Sequence, residues 1–105
     1  MESRQWMFLS NHAHVMVALA ADPDVRLRDV AALVGITERA VQQVIVDLEL
    51  AEVVVRTRVG RRNHYTINRA ARLRHPLEAD VAVGALLDLV LDTRRNRQSP
   101  ATKRP

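Results

Sequence analysis

The chain has 105 residues, of which 48% are hydrophobic, and this is enough for the core of one domain. It contains no cysteine, which excludes a disulfide framework, an iron–sulfur cluster and a thiolate zinc site. The net charge is +4, no long apolar run is present and no signal peptide opens the chain, so the sequence predicts a cytoplasmic protein without a membrane span.

Three helices are predicted in the first half of the chain. The first covers about residues 10–21, where Ser10 or Asn11 can cap the free backbone amides. The second covers about residues 28–34, and a glycine turn leads to a third helix over about residues 37–50, capped by Thr37. Four apolar residues of the third helix are three or four positions apart and form one stripe: Val41, Val44, Ile45 and Leu48.

A β-hairpin is predicted next, with strands at residues 53–59 and 64–68. A four-residue loop would place Val59 opposite His64. In that register five side chains share the face toward the core: Val54, Arg56, Arg58, Tyr65 and Ile67. Arginines on this face are tolerable only if the hairpin projects past the core.

A last helix is predicted from Leu77 to about Asp92. It is apolar almost all round, and such a helix is buried on more than one side, which favours a homodimer. The side chains assigned to the dimer interface are Trp6, Phe8, Leu77, Val81, Leu86, Leu87 and Val90. Residues 93–105 hold five basic residues and no acidic ones, so a basic disordered tail is predicted after a single domain over residues 1–92.

Positive charge is segregated in the middle of the chain. From Val53 to Pro76 there are seven arginines and no carboxylate. A block of one sign is typical of a surface with an oppositely charged partner, or of a disordered tail. The strand-like pattern of this block favours the partner.

The segment LRDVAALVGITERAVQQVIVDL, followed at once by an arginine-tipped hairpin, resembles the winged helix-turn-helix regulators of the ArsR and MarR type. In this segment a small residue, a turn glycine and two apolar residues hold the spacing: Ala31, Gly35, Val41 and Val44. The resemblance implies an α+β, mainly α fold with a two-stranded wing and a C-terminal dimerisation helix. It also implies that the third helix enters the major groove, while the wing follows the backbone or minor groove.

The resemblance implies which residues face double-stranded DNA: Thr37, Glu38, Arg39, Gln42, Gln43, Arg56, Arg58, Arg61, Arg62, Asn63 and His64. Arg39 has the donors to bind guanine twice, and Gln42 or Gln43 can do the same with adenine. Glu52 stands where such regulators often have glycine, which predicts a different exit from the third helix. The lack of cysteine excludes thiolate metal sensing.

The favoured function is a nucleoid-associated, sequence-specific transcriptional regulator that acts as a homodimer. Two alternatives remain open: a winged-helix module that binds acidic proteins, and a sequence-neutral architectural DNA-binding protein. No phosphate loop and no catalytic spacing is present, so no enzyme is expected. His12 and His14 lie two apart on a helix and point to nearly opposite faces, so neither a metal site nor a cofactor is expected.

Overall fold

The computed structural model describes residues 5–97, and within them the fold is α+β and mainly helical, as predicted. In chain order the helices and strands are α1 (Asn11–Ala21), α2 (Leu27–Val34), α3 (Glu38–Leu50), β1 (Val54–Val59), β2 (Arg62–Ile67) and α4 (Val83–Arg97). β1 and β2 form an antiparallel two-stranded sheet, and a short 3₁₀ helix, Pro76–Glu78, precedes α4. Within the described range, every helix falls short of the length and apolar character that crossing a membrane requires.

The first three helices begin close to where the sequence predicts them. Ser10 caps α1, since its Oγ accepts a hydrogen bond from the amide of Ala13 at 3.4 Å. Thr37 caps α3 in the same way, with its Oγ1 3.0 Å from the amide of Ala40. The cap position of α2 is occupied by Arg26, whose side chain makes no capping hydrogen bond.

A tight turn at Gly35 packs α2 against α3. Gly35 has φ 87°, a left-handed conformation that glycine adopts without a steric penalty. Its amide donates to the carbonyl of Ala31 at 2.8 Å, and the amide of Ile36 donates to the same carbonyl at 3.1 Å. The predicted apolar stripe of α3 is buried, which confirms its orientation. The core is built by Val15, Met16, Ala18, Leu19, Val30, Ala31, Val41, Val44, Ile45, Leu48, Val53, Val54, Tyr65, Val83 and Leu87.

The hairpin has a shorter turn than predicted. Val59 pairs with Arg62, and therefore the predicted partner, His64, is wrong by two residues. The connection is the two-residue turn Gly60–Arg61, and Gly60 has φ 62° at the first central position, as a type II′ turn requires. Because side chains alternate with a period of two, a shift of two residues keeps every side chain on its predicted face.

The predicted helix from Leu77 to Asp92 is wrong at its start and extends further at its end. Backbone hydrogen bonds hold the preceding segment against residues 81–84, with the amide of Val83 2.7 Å from the carbonyl of Ala71 and the amide of Leu73 3.0 Å from the carbonyl of Val81. These long-range bonds occupy backbone groups that an earlier helix start would need. α4 continues through Arg97, past the predicted domain boundary, and residues 98–105 of the predicted tail lie outside the described residues.

α3 ends in a Schellman motif, so the different helix exit predicted from Glu52 is wrong. The amide of Val53 donates to the carbonyl of Leu48 at 2.9 Å, and the amide of Glu52 donates to the carbonyl of Glu49 at 3.0 Å. Those are the two hydrogen bonds that define the motif. Glu52 has φ 63° and is the only non-glycine residue of the described range in the left-handed region. A glutamate thus occupies the position that usually favours glycine.

Glu52→Gly should raise the free energy of unfolding by about 1 kcal/mol, because an L-residue in the left-handed region is strained by roughly 1–2 kcal/mol and glycine is not. The gain is measured by thermal or urea unfolding. Glu52→Ala removes the same carboxylate but keeps the Cβ, so it should bring no such gain. Equal stabilisation by both substitutions would show that backbone strain at this position is not the cause.

Candidate nucleic-acid interface

The face of α3 that points away from the core is exposed and carries polar side chains. Thr37 and Glu38 lie exposed at its start, and Arg39, Gln42 and Gln43 follow on exposed positions. Residues three and four positions apart are neighbours on a helix, so the last three side chains form one cluster. None of them contributes to the buried core. The cluster can therefore meet another molecule without a change in packing.

Two members of this cluster have no polar partner within the described residues. Within residues 5–97, Arg39 and Gln42 make neither a side-chain hydrogen bond nor an ion pair. Gln43 is partly engaged, since its Nε2 donates to Asp47 Oδ1 at 3.4 Å. His12 Nε2 lies 2.8 Å from Asp47 Oδ2, and this hydrogen bond is the main reason that the pKa of Asp47 is lowered. His12 therefore ties α1 to α3, and the unengaged donors of α3 are at Arg39 and Gln42.

The hairpin is fastened to the turn that follows α1. The amide of Tyr65 donates to the carbonyl of Pro23 at 2.9 Å. Arg62 Nη1 donates to the carbonyl of Asp24 at 3.0 Å, and His64 Nδ1 lies 2.8 Å from the carboxylate of the same Asp24. Arg62 and His64, both predicted to contact DNA, are thus engaged within the chain. They hold the hairpin in place beside α2.

The two arginines of β1 also have partners within the chain. Arg56 donates from Nε and Nη2 to the carboxylate of Glu49, at 3.2 Å and 2.9 Å. Arg58 donates from Nε to the carbonyl of Gly60 at 3.1 Å. The sequence shows no carboxylate in this arginine-rich block, but the fold brings Glu49 to it from α3. Part of the positive charge is therefore neutralised locally.

Arg61 differs from its neighbours. It is exposed at the tip of the hairpin, and no partner for its side chain occurs within the described part of the chain. Asn63, next along β2, is half-buried. Of the hairpin residues predicted to contact DNA, Arg61 is the one whose side chain is both exposed and without a partner in the described range.

A groove of about 490 Å³ lies between the start of α2 and the hairpin, and it is rich in arginine. Its cationic lining residues are Arg26, Arg28, Arg61 and Arg62, and its acidic ones are Asp24 and Glu38. Four arginines against two carboxylates leave the groove with an excess of positive charge. Such a groove attracts a polyanion.

Arg26 and Arg28 were not among the sequence-predicted DNA contacts. A signal for them exists in the sequence, because both lie at the start of α2, where Ser, Thr, Asp or Asn would cap the helix and where the helix dipole disfavours a cation. Neither capping nor the helix dipole explains why two arginines lie at the start of α2. The neighbouring hairpin, which completes the groove, becomes visible only in the fold.

The residues predicted to form a dimer interface differ widely in their exposure. Leu87 has no exposed surface and belongs to the core of its own chain, so its assignment to an interface is wrong. Leu86 and Val90 are half-buried, and Val81 is 40% exposed. Phe8 and Leu77 are 91% and 89% exposed, and Leu77 lies in the 3₁₀ helix instead of α4.

A scan of protein-family models and a search of curated proteins found no match to this chain. Among the described residues, no group of three or more His, Asp or Glu side chains is arranged to hold a metal ion. The arginine-lined groove favours an anionic partner, and the exposed face of α3 offers polar side chains for hydrogen bonds.

Proposed function

We propose that the chain is a winged helix-turn-helix transcriptional regulator, of the ArsR or MarR type, that binds specific sequences of double-stranded DNA as a homodimer. In this proposal α3 is the recognition helix and the β1–β2 hairpin is the wing. The observation that carries the proposal is the pair of unengaged side chains on α3, Arg39 and Gln42, beside an arginine-lined groove.

The unengaged side chains of α3 suit the major groove. A guanidinium can donate two hydrogen bonds to O6 and N7 of guanine, and a carboxamide can pair with N6 and N7 of adenine. Arg39 and Gln42 have these groups on one exposed face, and the opposite face is locked in the core. Gln43 keeps its carbonyl oxygen and one N–H for a base, since Asp47 accepts a single hydrogen bond from it.

The groove supplies contacts to phosphate. Arg61 on the hairpin and Arg26 and Arg28 at the start of α2 are the contacting side chains in this proposal, because these side chains have no hydrogen-bonded partner within residues 5–97. Arg62 and Arg56 have a different role, since the first holds Asp24 and the second is paired with Glu49. Neutralising phosphates releases counterions, so binding should weaken steeply with added salt.

The chain should be a homodimer in solution at micromolar concentration. The exposed aromatic rings of Trp6 and Phe8, 4.9 Å apart in an edge-to-face pair, are the strongest apolar candidates for the interface. The check is the molar mass from light scattering, which should be twice the 11.9 kDa of one chain. Trp6→Ser with Phe8→Ser should give the monomer, whereas Leu50→Ser, an equally exposed apolar position on α3, should leave the dimer intact. A monomeric wild type would contradict the dimer.

The proposal is tested by selection of binding sites from random duplexes, followed by affinity measurements on selected and random DNA in a salt series. We expect a two-fold symmetric motif with half-sites about 34 Å apart and a large ratio of specific to random affinity. Strong salt dependence without a sequence preference would support the architectural alternative. No affinity for any duplex would contradict both DNA-binding proposals and leave the protein-interaction module.

A further inference from the structure

The exposed face of α3 carries aliphatic side chains along its centre. Val46 lies seven residues after Arg39, and Leu50 follows four residues later, so at 3.6 residues per turn all three fall on one line. Val46 is 39% exposed and Leu50 is 79% exposed. This line is directly opposite the buried stripe of the helix. Neither aliphatic side chain is needed there for packing in the core.

We propose that Val46 reads the 5-methyl group of a thymine in the major groove. The inference rests on the proposed function, because it assigns one further base contact to the same helix face. The methyl group of thymine is the one apolar feature that base pairs present in the major groove, and apolar side chains recognise it by contact. The preferred DNA site should therefore contain an A·T pair at the position that Val46 contacts.

The position of Val46 fits the contacts proposed for its neighbours. It is about 10 Å along the helix from Arg39, at 1.5 Å per residue, which corresponds to roughly three base-pair steps of 3.4 Å. Gln42 precedes it by one turn and has the carboxamide that pairs with adenine. A guanine near Arg39 and an A·T-containing step near Gln42 and Val46 follow from this order.

Its position along α3 favours a contact at Val46 over one at Leu50. Leu50 is the last residue of α3, one turn further from the unengaged polar groups. DNA suits this face better than an apolar protein surface, because Arg39 lies on the same line as the aliphatic groups and the two glutamines flank it.

The test replaces each thymine of the selected duplex in turn by deoxyuridine, which lacks only the methyl group. For the wild type we expect a loss of affinity of about fourfold at one position of each half-site, the effect of one buried methyl group. Val46→Ala should bind the thymine duplex about fourfold more weakly per half-site, or roughly 16-fold for the symmetric dimer, and should no longer distinguish thymine from uracil there. Leu50→Ala is the matched control and should keep the wild-type discrimination. Thermal unfolding of the variants verifies that both remain folded.

Three results would overturn the assignment of Val46 while leaving specific DNA binding intact. The first is a wild type that tolerates uracil at every position. The second is a Val46→Ala variant that still discriminates thymine from uracil. The third is a Leu50→Ala variant that has lost this discrimination. Arg39→Ala distinguishes sequence-specific binding from recognition of the thymine methyl group, because it should weaken specific binding without removing the thymine preference. If the wild type binds no duplex specifically, both this assignment and the proposed function are wrong.

Discussion

Arg39→Ala is expected to weaken binding to the selected duplex by about 1–3 kcal/mol, roughly 5- to 150-fold, and to change the affinity for random DNA much less. The reason is that a guanidinium free of partners within the described residues can make two hydrogen bonds to one guanine, which a random sequence does not offer in register. The measurement is a titration of labelled selected and random duplexes at one fixed salt concentration.

Arg39→Lys provides the matched control, because it keeps the positive charge but loses the planar fork that binds two acceptors. It should retain the random-DNA affinity and still lose most of the preference for the selected site. Thermal stability should change by less than about 0.5 kcal/mol in both variants, since the position is exposed. An equal loss on selected and random DNA would show that α3 does not read sequence, and the architectural alternative would then be favoured.

Arg61→Ala is expected to weaken binding to all duplexes alike. Its guanidinium is exposed at the hairpin tip with no partner in the described chain, which suits a phosphate contact and no particular base. In a plot of log affinity against log salt, each lost phosphate contact should flatten the slope by about 0.9 units, or by about two units for a symmetric dimer. The corresponding loss at 0.1 M salt is about 10- to 100-fold.

Arg56→Ala is the control for the hairpin, because Arg56 has the same charge but is paired with Glu49 at 2.9 Å. Its removal should change the slope much less. Arg62→Ala tests another role, since this side chain holds the carbonyl of Asp24 and its loss should lower thermal stability as well as affinity. If Arg61→Ala leaves the slope unchanged, the hairpin tip does not touch DNA.

The helical half of the fold could be predicted because its signals are local. Thr37 starts α3 as a cap, Gly35 allows the tight turn, and the spacing of apolar residues in α3 fixes which side is buried. That same spacing left Arg39, Gln42 and Gln43 for the exposed side, so the candidate reading face could be predicted as well. Each inference needed only residues within one or two helical turns.

The start of α4 was predicted wrongly because it depends on contacts between distant residues. Residues 79–82 are compatible with a helix by themselves, but backbone bonds to the segment around Ala71 and Leu73 prevent it. The hairpin register differs because Gly60 and Arg61 form a tighter turn than the assumed loop, a choice that alternation of side chains cannot reveal.

The partners of the arginines also lie outside their own segment. Asp24, from the turn after α1, reaches His64 and Arg62 over about forty residues of sequence, and Glu49 reaches Arg56 from α3. Charge counted along the chain therefore overstated the number of free cations in the hairpin. It also missed Arg26 and Arg28, which share a groove with the hairpin only after folding.

The most direct test of the central claim is the set of backbone amide NMR signals that shift when the isotope-labelled protein is titrated with a selected duplex. The account predicts that the largest shifts cluster in three places: the first three turns of α3 from Thr37, the start of α2 around Arg26, and the hairpin tip at Arg61. Shifts confined to other surfaces, or none at saturating duplex, would contradict the claim that this face binds DNA.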